Sequence, residues 1–294
     1  MAEARSGAAP RRRRAPREPR KPREPPAKKP RRRSDLLARI LVAIPLAIAT
    51  IIFTNLGGLP FALFLIAAGL ICMHELYALL SIWRPVPLIG LAALVVMVLV
   101  ARNGNQGGVL EVAVAAVPVV LLAVMVSDRR RPTVAIAGTL LGIYWIGFAF
   151  AHAELLRELP HGNGVFIDVL VGTFVGDTGA YVGGRLFGRR QLAPNVSPNK
   201  TVEGLFCGML AAILAVFLAG LYQTWLTQGN ALLLGVAVAA LAPLGDLFES
   251  VVKRDAGVKD SGSVFGPHGG ALDRLDGALF AVVVGFYVWQ AVGH

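Results

Sequence analysis

The sequence predicts an all-α polytopic membrane protein of about nine transmembrane helices, and three observations predict it. Of 294 residues, 55% are hydrophobic, and the mean hydropathy is +0.62, too apolar for an ordinary soluble domain. Apolar stretches of about twenty residues recur, the length that crosses a bilayer as helix. Short alternating segments, the mark of a membrane β-barrel, are absent. Backbone groups in lipid must be satisfied within their own segment, so repeated long runs mean a helical bundle.

The elements follow in order. Residues 1–34 form a basic, Pro-rich cytoplasmic tail, and 35–294 the membrane domain. Residues 1–33 carry 14 Lys and Arg against 3 acidic residues, so the whole net charge of +11 sits in this tail. Like-charge crowding and proline predict an extended, disordered segment. The tail suits anionic lipid headgroups, at about 1 kcal/mol per basic residue near the surface, or it only fixes topology. It has no aromatic residue for base stacking, so nucleic acid is not an expected partner. A multi-span body follows and no cleavage site is evident, which excludes a secretory signal.

The predicted spans are 36–54, 59–81, 86–101, 109–126, 133–156, 164–183, 203–225, 231–249 and 274–292, the third being the shortest. Their connections carry an orientation signal. Arg84, Arg129–Arg131, Arg185, Arg189, Arg190, Lys200, Lys253, Arg254, Lys259 and Arg274 follow the even-numbered spans; the other connections hold Arg102 and Arg157. Positive charge stays inside. The N-terminus is therefore expected in the cytoplasm and the C-terminus outside, in the cell (inner) membrane. Cys72 and Cys207 lie in apolar runs with no CxxC or His-rich partner, and read as small buried hydrophobes.

Most of the unusual polar chemistry falls in two cytoplasmic connections and their flanks, 175–204 and 244–277. In LGDLFESVVKRD, Asp246, Glu249, Ser250 and Lys253 share one helical face. Such a stripe cannot face lipid cheaply; it is either a salt bridge or a site, and four residues favour a site. Asp273 and Asp276 open the last span on one face. With Asp246 they form an oxygen-rich set suited to Mg²⁺ and substrate phosphates; favourable charge at a helix N-terminus is the plainer alternative. In FGPHGGALDRLDG, Gly269 and Gly270 allow backbone N–H groups to approach a phosphate. His268 is expected to donate to phosphate or, less readily, to act as acid or base. In the stretch 175–204, Asp177, Arg185, Ser197 and Lys200 are expected at a triphosphate or lipid headgroup, although positive-inside charge alone accounts for Arg189 and Arg190. GGRLFGRR lacks Walker spacing. His74 and Glu75, inside a span, read as a polar contact between helices, and Asp168 similarly; HExxH is not matched.

The stretch ESVVKRDAGVKDSGSVFGPHGGALDRLD resembles the signature of the membrane-bound phosphatidate cytidylyltransferases, which make CDP-diacylglycerol. Its pattern falls on Ser250, Lys253, Arg254, Lys259, Asp260, His268, Gly269, Gly270, Asp273, Arg274 and Asp276. DTGAYVGGRLFGRR and SPNKTVEG upstream also look like family stretches, so the likeness covers roughly 170–280. Two departures concern loop shape: Gly266-Pro267 inverts the usual order, and Ala271 replaces a larger apolar residue. The resemblance implies CTP and phosphatidate as substrates, a Mg²⁺-dependent site with a second cation, Asp246 and Asp273 as metal ligands, and a homodimer. On this expectation Lys253, Arg254, His268 and Lys200 serve catalysis. Ser197, Arg185, Ser250, Lys259, Gly269, Gly270 and Arg274 bind substrate, and Asp276 and Asp177 are further metal candidates. Two other classes share parts of the inventory. A CTP-dependent polyprenol-type lipid kinase would need a base, and an ion-coupled transporter would use intramembrane carboxylates; no internal repeat supports the latter.

Overall fold

The computed structural model describes residues 33–127, 131–258, 260–262 and 269–293, with side chains from residue 44 onward. Residues 1–32 of the basic tail, Arg129, Arg130, Lys259 and His268 lie outside the described residues, while Arg33 and Ser34 open the first helix.

Each predicted apolar segment is helical among the described residues. The helices are α1 (Arg33–Leu56), α2 (Gly58–Leu79), α3 (Pro87–Ala101) and α4 (Gln106–Met125). They continue with α5 (Pro132–Gly142), α6 (Phe148–Glu158), α7 (Gly162–Phe187), α8 (Val202–Gly220), α9 (Gln228–Asp255) and α10 (Leu272–Val292). A π-helical turn, Ile143–Gly147, joins α5 to α6, so the predicted fifth segment is one run of 27 residues with a widened turn inside it. Seven of these runs are long and apolar enough to cross a membrane, which makes the chain a multi-pass helical protein. α3 and the apolar part of α1 (Ile44–Leu56) are shorter. Fifteen residues of α3 rise only about 22 Å.

Local chemistry sets the ends. Pro87 and Pro132 start α3 and α5, where a missing N–H removes no helical bond. Asn105, Thr201 and Thr227 cap α4, α8 and α9, their side-chain oxygens accepting from Gly108, Gly204 and Asn230 N–H at 2.8, 3.1 and 3.2 Å.

One element was not expected. The connection after α7 folds into an antiparallel pair, β1 (Gln191–Ala193) and β2 (Ser197–Thr201). The Glu203 carboxylate accepts from the backbone N–H groups of Arg189 and Arg190, at 3.0 and 3.2 Å. Arg254 of α9 donates to the Val196 carbonyl at 3.0 Å, tying the hairpin to the end of α9. The hairpin therefore stands over the ends of α7, α8 and α9.

α7 packs closely on α8 through small residues, as membrane helices do where backbones approach. A Cβ on Gly208 would stand 2.7 Å from the Gly176 carbonyl oxygen and 2.8 Å from Ala180 Cβ. A Cβ on Gly183 would meet Cys207 at 2.2 Å, so Cys207 is a packing residue, and Cys72 is fully buried; both are free thiols. Gly208→Ala is expected to lower stability by about 1–3 kcal/mol, because its first obstacle is backbone. A thermal melt of purified protein in detergent checks this; an unchanged midpoint contradicts the close approach.

Candidate active site

α7, α8, α9, the hairpin and the start of α10 enclose a cavity of about 640 Å³. Asp177 enters it from α7, Lys200 from β2, Asp246 from α9, and Asp273 and Asp276 from α10; Arg185 and Ser197 also line it. A second recess of about 470 Å³ adjoins it, sharing Ser197, Asn199 and Asp273. Ser250, Lys253, Arg254, Gly269 and Arg274 line this second recess. Of the expected site residues, all but Gly270, Lys259 and His268 thus stand on one continuous wall. Lys259 and His268 lie outside the described residues.

The charges sort into two groups. Lys200 pairs with Asp246. Asp177 lies within electrostatic reach of both, and Asp276 within reach of Asp246 and Asp177. In the second group Lys253 bridges Glu249 and Asp273, 2.7 Å from the latter. Asp273 also accepts from Ser261 N–H at 3.0 Å and from Gly270 N–H at 2.8 Å.

Three contacts set how these residues stand. First, Asp246 and Asp273 both line the cavity, Asp246 against Lys200 and Asp273 against Lys253. Among the described residues, no group of three or more His, Cys, Asp or Glu is set to hold a metal on its own. Second, the polar stripe on α9 divides. Asp246 and Ser250 line the cavities, whereas Glu249 is 1% exposed and turned toward Lys253. Third, the Gly270 N–H donates to Asp273. The next helical amide, Leu272 N–H, donates to Glu75 of α2 at 2.9 Å.

Glu75 is thus the contact between helices that its position in a span predicts, and His74 beside it is exposed. Its partner, 197 residues away, carries no sequence signal. Asp168 makes a similar bond, accepting from Gln223 at 3.0 Å. Asn199 and Thr173 on the cavity wall were missed, and no spacing could have found them.

The donor set still fits a hard divalent cation. Mg²⁺ is commonly held by one or two carboxylates with substrate phosphates completing its shell, so a protein cage of three is not required. Asp246 and Asp273, with Asp177 and Asp276 on the same wall, supply carboxylate oxygens to the cavity.

The sequence family decides what kind of site this is. The model of the cytidylyltransferase family matches residues 37–292. The chain belongs to the cytidylyltransferase family. Relatives within reach include the phosphatidate cytidylyltransferase of Staphylococcus epidermidis, 34% identical over 83% of this chain and 95% of the relative. Those of Brucella suis and Bacillus subtilis are also 34% identical, over 88% and 84% of this chain and 94% and 95% of theirs. As a cytidylyltransferase family member the chain is a nucleotidyl-transferring enzyme, and its match spans every helix that builds the two recesses.

Proposed function

We propose that the chain transfers the cytidylyl group of CTP to phosphatidate, giving CDP-diacylglycerol and pyrophosphate. The observation that carries this is the meeting of Asp177, Asp246, Asp273, Asp276 and Lys200 in one cavity that Ala212, Ala239 and Ala242 also line. A phosphorylated lipid needs both surfaces at once. The names of the three relatives supply the substrate pair.

The chemistry requires little covalent help. A phosphate monoester is near −2 at neutral pH, its second pKa being about 6. One of its oxygens attacks the α-phosphorus of CTP, the bond from that phosphorus to the bridging oxygen breaks, and pyrophosphate leaves. No general base is needed. The barrier is electrostatic, because two anions must meet and a third must depart. Lys200 and Arg185 in the cavity, and Lys253, Arg254 and Arg274 in the recess, hold phosphates and offset this charge. Positioning and neutralisation then carry the rate. Asp246 and Asp273, with Asp177 and Asp276 as further candidates, would hold Mg²⁺, which when bound polarises phosphoryl oxygens and stabilises the leaving group.

The finer topology belongs to the same proposal. Nine spans, with the tail and the site at the cytoplasmic face of the inner membrane and the C-terminus outside, satisfy the bias of basic residues among the connections. Residues 1–34 then act as a lipid-binding tail and 35–294 as the catalytic domain. The tail is open to test by co-sedimentation with anionic vesicles, and a homodimer by cross-linking in membranes.

Membranes containing the chain, given cytidine-labelled CTP and phosphatidate, are expected to form a labelled lipid carrying cytidine. EDTA should stop its formation and added Mg²⁺ restore it. Phosphate transferred from CTP to a polyprenol-type alcohol would instead mark a lipid kinase, and no product with either acceptor would favour a transporter.

A further inference from the structure

Glu75 lies in the last turns of α2 and is 3% exposed. It lines neither recess, yet its carboxylate leaves its own helix to meet the first turn of α10. Oε2 accepts from Leu272 N–H at 2.9 Å, while Oε1 has no hydrogen-bond partner among the described residues. Two glycines press on the same group. A Cβ on Gly270 would stand 2.4 Å from Oε2, and one on Gly262 would stand 2.5 Å from Oε1. The space beside these glycines is therefore filled by Glu75 and, at Gly270, by Ser261 Oγ at 2.5 Å as well.

A carboxylate buried inside a helical bundle is costly without compensation. Here the compensation is the N-terminus of α10, whose unpaired amides and dipole favour negative charge. The consequence is geometric. Leu272 immediately precedes Asp273, and Asp276 follows one turn later. Gly270 N–H, held against Glu75, donates to Asp273. One buried anion on α2 thus fixes the turn from which two carboxylates enter the site.

We propose that Glu75 is a positioning residue for nucleotidyl transfer, seating the first turn of α10 so that Asp273 and Asp276 reach the cavity in register. The inference rests on the function proposed above. It acts through backbone, so an acceptor oxygen at residue 75 matters and a full charge does not.

Glu75→Gln keeps an acceptor for Leu272, and Glu75→Ala removes it. Glu75→Ala is expected to lower kcat by about 10²-fold, as a misplacement near 1 Å does, with KM for CTP and phosphatidate within about threefold of the parent. Glu75→Gln should stay within about fivefold of the parent kcat. Gly270→Ala pushes a methyl against the carboxylate and should reduce kcat in the same way. In Glu75→Ala/Gly270→Ala the carboxylate obstacle is gone and Ser261 Oγ, the other close atom at 2.5 Å, is a side-chain end that can rotate, so the losses should not multiply. Hydrogen–deuterium exchange at the start of α10 gives a readout independent of turnover: faster in Glu75→Ala, unchanged in Glu75→Gln. Full turnover in Glu75→Ala, Glu75→Gln falling as far as Glu75→Ala, multiplying losses, or unaltered exchange would each overturn the proposal. Should Glu75→Ala not fold, Glu75→Gln and Gly270→Ala decide it: an active first and an impaired second support it, and the reverse of either overturns it. Absence of product from the unsubstituted chain counts against the proposed function, whereas full activity in Glu75→Ala counts against Glu75 alone.

Discussion

Asp246→Asn is expected to lower kcat by about 10³-fold while leaving folded protein in the membrane. The magnitude is that of removing one preorganised electrostatic group from a water-poor site. The substitution keeps size and shape, and Asp246 is an α9 side chain facing a cavity rather than a packing residue. What it removes is the negative charge that Lys200 meets. Two consequences follow from that one loss. The cavity loses a hard-oxygen ligand for a divalent cation, and Lys200 loses the partner that holds it between β2 and α9. Turnover of cytidine-labelled CTP in detergent micelles, beside a thermal melt of the same preparation, separates catalysis from folding. Activity within about tenfold of the parent, with an unchanged melt, would remove Asp246 from the chemistry. Lys200→Met should also reduce turnover, but by less, since Arg185 remains in the same cavity.

The helices were legible because hydropathy over bilayer length is a strong signal; their inner ends were not. The eighth span reads as 231–249, but α9 runs Gln228–Asp255. The polar stripe Asp246–Lys253 ends the apolar window without ending the helix, because Lys253 and Glu249 satisfy each other one turn apart. The π turn at Ile143–Gly147 was invisible for a different reason. It widens one turn and leaves hydropathy unchanged. The hairpin Gln191–Thr201 has strands of three and five residues, too short for alternation to register, and one contains Pro198.

The site was legible as a set of residues and not as a set of bonds. Spacing could place Asp246 and Lys253 on α9, and Asp273 and Asp276 on α10. It could not say that Lys253 would turn to Asp273 and Lys200 to Asp246. Both choices depend on how α9 faces α10 and the hairpin, which is tertiary information. The glycine pair shows the same limit. Close approach was expected at Gly270 from its missing Cβ, but spacing could not say that the Glu75 carboxylate of another helix and Ser261 Oγ would stand there.

Lys253→Met is expected to damage stability and turnover together, and a second substitution should separate the two. Lys253 is the cation between two poorly solvated carboxylates; the side chains of Lys253, Glu249 and Asp273 are 14%, 1% and 13% exposed. Removing one partner from a buried ion pair leaves an uncompensated charge and costs about 3–5 kcal/mol. Asp273 would keep the Ser261 and Gly270 N–H bonds. Glu249 has no such reserve, since its Oε1 already lacks a hydrogen-bond partner. The destabilisation should therefore trace to Glu249, and Lys253→Met/Glu249→Gln should recover most of the lost melting temperature. Turnover should not recover. Lys253 also lines the recess beside Ser250, Arg254 and Arg274, and a neutral pair there cannot offset phosphate charge, a loss of about 10²-fold. A double variant that regains stability and remains slow assigns Lys253 to the reaction. One that regains both makes Lys253 a counter-ion for Glu249 alone, with phosphate binding left to the arginines.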